Sequence, residues 1–388
     1  MLGGVNLGGI LVLLIGGRYE IPVLISIKEL SPSCVEFIVS KDDRNPKFDN
    51  FCENIRKTFP SLRICHPEFV GANDIEQVQE TCWQVIQRND SREVTFNLTP
   101  GTKIMALGAY DVIKENALRA IYIDTRNSKI ILLGSQVGTK EINARFTFEE
   151  CIKFWGREKK DEDISSKLSI DKENAISLAE EIGDFVRKYC NEGNKVLEHI
   201  RKKNGKAGQI VFKDPYDYEI EFLQLLLSYN IISKLKINNE VSFSIRNTHD
   251  VKFLDGKWLE IYAWKKAKEI KMFDDVIHSV KIPYEGVGKE IDVACVYKGQ
   301  LIICSCKTGN KSFETEHLDE LQSVASLIGK DYCSKIFITA QPGKDEQKMK
   351  SFMSHAEQRK ILVVTGDKLV DIGDILQKEA VNPTLPRI

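Results

Sequence analysis

The chain has 388 residues, of which 42% are hydrophobic and 29% charged, a balance that excludes a disordered protein and predicts two domains, or three. Its 55 basic and 56 acidic residues leave a formal charge of -1, so any nucleic acid must be held by a local basic patch rather than by a global field. Ten cysteines without paired CxxC motifs exclude a zinc framework, and Cys304 and Cys306 read as buried free thiols of a cytoplasmic protein.

The opening MLGGVNLGGILVLLIGGRYE lacks the basic start and the A-x-A-like site of a signal peptide, and its apolar core, Ile10–Ile15, is of strand length. No stretch is long enough to span a membrane. A helix from Tyr19 to Ser31, a strand at Cys34–Val39, a helix at Phe48–Thr58 and a short strand at Ser61–Cys65 follow. Ile75–Gln87 is an amphipathic helix, Glu93–Asn97 a strand and Thr102–Glu115 a helix; Ala120–Asp124 and Lys129–Leu133 close the set. Strands alternating with helices predict an α/β domain over residues 1–150, with a parallel, doubly wound sheet.

Ligands of such sheets sit on loops beyond the carboxyl ends of the strands. Two loops qualify: Gly16-Gly17-Arg18, and Asn97-Leu98-Thr99-Pro100-Gly101-Thr102-Lys103. The second offers hydroxyls, backbone N–H groups and a lysine at a helix start, the parts of an anion cradle. A helix simply capped by Thr102 accounts for it equally well. No G-x-G-x-x-G follows the first strand, which argues against a dinucleotide-binding dehydrogenase.

Residues 151–205 are expected to form a connecting helical segment, in which Ala175–Cys190 carries one apolar stripe, and residues 206–388 a second domain. Tyr218–Tyr229 reads as a helix and Ile231–Ile245 as strand, so a small winged-helix-like insertion at 206–250 is an option. Gly256-Lys257-Trp258-Leu259-Glu260 opens a helix with Asp255 as its cap, burying Leu259, Tyr262, Ala263, Ala267 and Ile270; Lys265, Lys266, Lys268 and Lys271 decorate its other face.

Strands Ile291–Tyr297 and Leu301–Lys307 meet through Lys298-Gly299. A two-residue hairpin turn sets Asp292 opposite Ser305 and Lys307 opposite Glu290, all four on one face, with Cys304 and Cys306 on the other. Phosphodiester hydrolysis requires a divalent metal on oxygen ligands, for which Glu260, Asp292 and the backbone carbonyl of Cys306 are suited, and a cation such as Lys307 for the developing charge. A plain ion pair between Asp292 and Lys307 is the competing explanation, although a lysine ending so apolar a strand is costly without a purpose. The six histidines show no metal-ligand spacing; His278 and His317 flank the site in sequence.

Glu260, Asp292 and Ser305-Cys306-Lys307 resemble the helical Glu, strand Asp and (D/E)xK of the PD-(D/E)xK restriction-endonuclease-like superfamily. The runs Trp258-Leu259-Glu260, Glu290-Ile291-Asp292-Val293 and Cys306-Lys307-Thr308 are similar to the nuclease domain of CRISPR-associated Rossmann-fold (CARF) effectors of type III systems. Ser305 departs from the usual acidic residue, so Glu260 would have to take over as ligand. Thr99-Pro100-Gly101-Thr102-Lys103 resembles the CARF loop T-G-G-T-K, with Pro100 for the first glycine.

The resemblance implies a Rossmann-like CARF domain over 1–150 and a restriction-endonuclease-like domain with a mixed sheet over 206–388. It implies a homodimer binding a cyclic oligoadenylate, most often the tetra-adenylate, through Gly16, Gly17, Thr99, Pro100, Gly101, Thr102 and Lys103. The implied activity is Mn²⁺- or Mg²⁺-dependent cleavage of single-stranded DNA, single-stranded RNA or supercoiled duplex, with phosphate contacts from Lys265 and Lys266. A messenger-sensing regulator with a weak nuclease domain, a ring nuclease that degrades the messenger and a repair nuclease without a switch remain alternatives.

Overall fold

The computed structural model describes residues 9–17, 19–90, 93–161, 167–189, 195–284, 287–309, 311–342 and 346–384. Arg18 and Cys190, and the first eight residues, lie outside them. Among the described residues no helix is long and apolar enough to cross a membrane. The chain divides into two compact units, the first running to Glu158 and including Val296–Gln300, the second containing Lys159–Cys295 and continuing from Leu301.

In the first unit the elements are β1 (Ile10–Ile15), α1 (Glu20–Leu30), β2 (Cys34–Ser40), α2 (Pro46–Thr58), β3 (Arg63–Ile64), β4 (Glu68–Val70), α3 (Ile75–Gln87), β5 (Val94–Asn97), α4 (Lys103–Glu115), β6 (Arg119–Asp124), β7 (Lys129–Gly134), β8 (Gly138–Glu141) and α5 (Phe148–Phe154). Its sheet has the order β3-β2-β1-β5-β6-β7-β8, with β4 also on β2. Both faces of β1 are buried, as in a sheet covered by helices on each side. Val12 and Leu14 pack with Val78 of α3 and Met105 and Ala109 of α4, while Phe37 of β2 meets Phe48 of α2 edge-on at 5.4 Å. The parallel arrangement ends at β6: β7 and β8 run antiparallel. The expected parallel, doubly wound sheet thus holds through β6, and the four residues Thr125–Ser128, too few for a crossover, make a hairpin that adds two antiparallel strands at its edge.

The second unit contains β9 (Lys160–Asp161), α6 (Lys172–Tyr189), α7 (Lys195–Lys202), β10 (Gly208–Lys213), α8 (Asp217–Ser228), β11 (Ile232–Ile237), β12 (Glu240–Ile245), α9 (Thr248–Lys252), α10 (Trp258–Glu269), β13 (Asp275–Tyr284), β14 (Val287–Tyr297), β15 (Gln300–Lys307), α11 (Glu316–Ile328), β16 (Cys333–Thr339), α12 (Glu346–Gln358), β17 (Ile361–Val364) and α13 (Ile372–Val381). The main sheet, β17-β16-β15-β14-β13-β9, is mixed, since β15, β16 and β17 are parallel and β13 pairs antiparallel with β9. A separate antiparallel sheet, β10-β12-β11, resolves the strand-like run Ile231–Ile245 into two strands.

Along the helical segment 151–205, the end of α5 falls in the first unit, and α6 and α7 fall in the second. The apolar stripe of α6 explains this, because Gly183 brings it so close to α10 that a Cβ there would fall 2.4 Å from the Tyr262 ring.

Candidate active site and ligand loops

The helix that carries Glu260 begins earlier than the sequence suggests. Asn247 caps α9, accepting from the backbone N–H of His249 and Asp250 at 2.8 and 2.9 Å. The chain then passes through a π-helical turn, Phe253–Lys257, directly into α10. Asp255 therefore sits inside the helix and not at its cap: the continuous turns leave no N-terminus there to satisfy. Its carbonyl accepts from the Thr308 hydroxyl, and its carboxylate lies 3.6 Å from Arg201 Nε. Leu259, Tyr262, Ala263 and Ala267 are buried as expected, and Ile270 is half-buried.

Across from α10, β14 brings Glu290 and Asp292, and β15 ends on Lys307. Lys298 and Gly299 between them have φ of 50° and 80°, the positive values a tight two-residue hairpin demands. One carboxylate oxygen from each of Glu260, Glu290 and Asp292 lies within 4.8 Å of the others. The predicted pair Glu260 and Asp292 is thus brought together, and Glu290 joins it as a third carboxylate in place of the acid that Ser305 lacks. Strand alternation already set Glu290 on the face of Asp292; its approach to Glu260 depends on tertiary packing.

Each carboxylate is held. Asp292 Oδ2 accepts from the Cys306 N–H at 2.6 Å, and Glu260 Oε2 accepts from Ser279 Oγ at 2.8 Å. Ser279 has φ of 52° within β13, a left-handed strain that aims its hydroxyl at the glutamate. Lys257, which the sequence reading gave no role, bridges the cluster: Nζ lies 2.9 Å from Glu260 Oε1 and also donates to Glu290 Oε1. Thr308 fastens the end of β15, since its carbonyl accepts from Arg201 Nη2 at 2.9 Å and Gln341 Nε2 at 2.7 Å.

Burial and then the charge of Asp292 push the Glu260 carboxyl well above the usual range, and Lys257 and Ser279 offset this only in part. Asp292 is also raised by burial, against the pull of the Cys306 N–H and the lysines. At Glu290 burial acts upward too, but Lys257, Lys281 and Lys307 hold the carboxyl below its ordinary value. Burial would lower Lys257, yet Glu260 and Glu290 raise it. Three clustered carboxylates, two of them buried, form an all-oxygen set that fits a hard divalent cation such as Mg²⁺ or Mn²⁺.

Two cavities flank the cluster. One of about 390 Å³ is lined by Lys252, Lys257, Glu260, Lys307, Lys311 and His317 among others, and one of about 360 Å³ includes Glu290, Asp292, Ser305 and Lys307. Lys307 borders both. Lys265 and Lys266, expected to touch nucleic acid, line neither: Lys265 pairs with Glu269 at 3.3 Å, and Lys266 with Glu180 of α6 at 3.0 Å. Lys265 is paired within α10 and Lys266 by the packing of α6 on it, whereas Lys252 and Lys311 are exposed lysines at the site.

In the first unit the two candidate loops lie against each other. Gly16 N–H donates to the Pro100 carbonyl at 2.9 Å, and a Cβ on Gly16 would fall 2.7 Å from Thr102 Cγ2. Thr99 Oγ1 accepts from the Ile123 N–H at 2.6 Å, and Thr102 caps α4 by accepting from the Met105 N–H at 3.1 Å. Gly101 is pressed on Leu14, where a Cβ would come within 2.8 Å of the leucine Cβ. Gly17 and Lys103 are exposed.

Residues 10–151 match the family model of the Card1 CARF domain, and residues 247–382 that of the Card1-like endonuclease domain. The chain is a Card1-like CARF endonuclease. No curated protein sequence matches it. Among solved structures, this CARF endonuclease is similar to Can2 from Sulfobacillus thermosulfidooxidans in complex with cyclic tetra-adenylate, at 18% identity and TM-score 0.75, over 97% of this chain and 98% of that one. It is equally similar to protein VC1899 from Vibrio cholerae, at 17% identity and TM-score 0.75, over 97% and 100%. A type III CRISPR defence DNA nuclease activated by cyclic oligoadenylate aligns at 16% identity and TM-score 0.51, over 85% of this chain and 45% of its own length. At these identities the likeness is one of fold.

Proposed function

We propose that this protein is a homodimeric endonuclease of type III CRISPR defence, dependent on Mn²⁺ or Mg²⁺ and switched on by a cyclic oligoadenylate, foremost the tetra-adenylate. The observation that carries the nuclease reading is the cluster of Glu260, Glu290 and Asp292 beside Lys307 at the end of a strand. The CARF domain and the tetra-adenylate bound to Can2 support the switch.

Glu260, Glu290 and Asp292, with the Cys306 carbonyl, would hold the ion. When bound, it supplies a water of lowered pKa and neutralises charge on the phosphate. The Cys306 N–H fixes Asp292, Ser279 orients Glu260, and the Lys307 ammonium, which borders both cavities, stabilises charge building on the scissile phosphate. Lys252 and Lys311 offer contacts to the backbone of single-stranded DNA, single-stranded RNA or supercoiled duplex, so cleavage shows little sequence preference and strong salt dependence.

On the sensing side, Gly16, Gly17 and the Thr99–Lys103 loop present backbone and an ammonium to a phosphate ring, and a two-fold dimer offers a cyclic ligand two copies of that half-site. Leu107 of α4, 57% exposed, and Ile75 of α3, 37% exposed, give this face apolar surface for a second copy. The ligand must bind the cleaving arrangement more tightly than the resting one. We place the protein in the cytoplasm, where such messengers act. The deciding experiment incubates plasmid, single-stranded DNA and RNA with the protein, Mn²⁺ or Mg²⁺, and a panel of cyclic oligoadenylates. Cleavage that requires both metal and one ring size is expected; inactivity under every combination would overturn the proposal.

A further inference from the structure

Two sulfurs of the first unit take no part in the chemistry above. Cys34 opens β2, and Cys65 follows β3 directly. These strands are parallel, with Cys34 paired to Arg63 and Val35 to Ile64, so Cys65 lies diagonally across from Cys34. The Cys65 N–H donates to the Val35 carbonyl at 3.0 Å and fixes that diagonal. The two Sγ atoms are 2.8 Å apart, already close to the ~2.05 Å of a disulfide. Cys34 is buried, whereas Cys65 is partly open to solvent. Arg63, the cross-strand partner of Cys34, sets a positive charge near both sulfurs.

We propose that Cys34 and Cys65 are a modification site that closes to an intramolecular disulfide by exchange with a small disulfide oxidant of the glutathione type. Cys65, the accessible thiol, acts first as its thiolate: it attacks one sulfur of the oxidant, breaks that S–S bond and releases one small thiolate. Cys34 then gives its proton to the released thiolate and attacks Cys65 Sγ, expelling the second small group as a thiolate, which takes up from solvent the proton that Cys65 had lost. Two protein thiols are oxidised, and one oxidant disulfide is reduced to two thiols. Burial, with Cys34 and Glu36, pushes the Cys65 thiol up to about 12 against the pull of Arg63, which makes the first exchange slow at neutral pH. Closure pins β3, a two-residue edge strand, and loops the chain around α2.

The full-length protein, incubated with oxidised glutathione under native conditions, is expected to lose two hydrogens by intact mass. Digestion should yield one linked peptide pair containing Cys34 and Cys65, and dithiothreitol should restore both thiols. The thermal midpoint of the oxidised protein should rise by several degrees, and Cys65→Ser should show neither the link nor the rise. Cys34→Ser should trap Cys65 as a stable glutathione adduct; if that variant does not fold, the wild type against Cys65→Ser still decides. Wild-type protein that stays reduced, or that accumulates the adduct at Cys65 without losing it to Cys34, overturns the proposal.

Discussion

The sensing loops and the nuclease cluster both lie at the ends of strands, yet they handle polarity in opposite ways. Around Thr99–Lys103 the protein satisfies itself: Thr102 caps α4, Thr99 accepts from Ile123, and Gly16 donates to Pro100. No charge is buried among them, and Lys103 stands in solvent. Around Glu260 the protein buries two carboxylates beside a third and balances them with lysines, at a desolvation cost that raises two of the three carboxyl groups. The first region is a surface that satisfies its own polar groups. The second keeps an electrostatic deficit of the kind that a divalent cation, on the proposed function, would correct.

The contrast breaks most visibly if the catalytic charges prove dispensable. Asp292→Ala and Lys307→Ala should each lower cleavage by at least about 10²- to 10³-fold while leaving messenger affinity unchanged, as read by single-turnover cleavage and ligand titration. Glu290→Gln should weaken metal binding by at least roughly 10- to 100-fold, the loss known for supporting groups alone, and calorimetry with Mn²⁺ would detect it. An unchanged affinity would remove Glu290 from the ligand set.

Lys103→Ala tests the other region. It should raise the messenger concentration for half-activation by roughly tenfold or more, the worth of one charge-assisted hydrogen bond, with normal cleavage at saturation. Acidity separates the regions as well. Glu260 is pushed up to about 8, above its unfolded value, so the folded metal-free protein keeps a proton that the unfolded chain releases. Stability without metal should then fall as pH rises from the ordinary glutamate range toward about 8, while metal affinity climbs by up to about tenfold per unit over the same window. Thermal melts with and without Mn²⁺ on both sides of that value check the sign, and Glu260→Gln should flatten both trends. The smallest effect belongs to the first region: Thr102→Ala should cost about 1 kcal/mol through its lost cap, measured by denaturant unfolding.

Much of this was legible in the chain. The Lys298-Gly299 turn and the alternation of Glu290, Asp292, Ser305 and Lys307 are local properties, so the hairpin came through with its turn intact. Glu260 was singled out by the resemblance and lies beside Asp292, and Thr102 caps α4 as its position before an apolar run suggests. What was not local depended on distant partners. Lys265 and Lys266 look like a free basic face until Glu180 of α6 is packed against Lys266. Lys257 looks like a surface lysine until β14 brings Glu290 to it. The last strands of the first sheet are visible in the sequence, but their direction depends on a four-residue connection too short for a crossover.

The π-helical turn before α10 lets two elements of the candidate site be fastened at a fixed phase. Such a turn absorbs one additional residue without changing the phase of the helices on either side, since each residue of a regular helix is worth about 100°. The Asp255 carbonyl in this turn is met by the Thr308 hydroxyl, next door to Lys307. The turn therefore acts as a fastener, tying the helix of Glu260 to the strand of Lys307. Deleting Gly256 should therefore keep the phase of α9 and α10 while disturbing the contacts that Asp255 and Lys257 make from this turn.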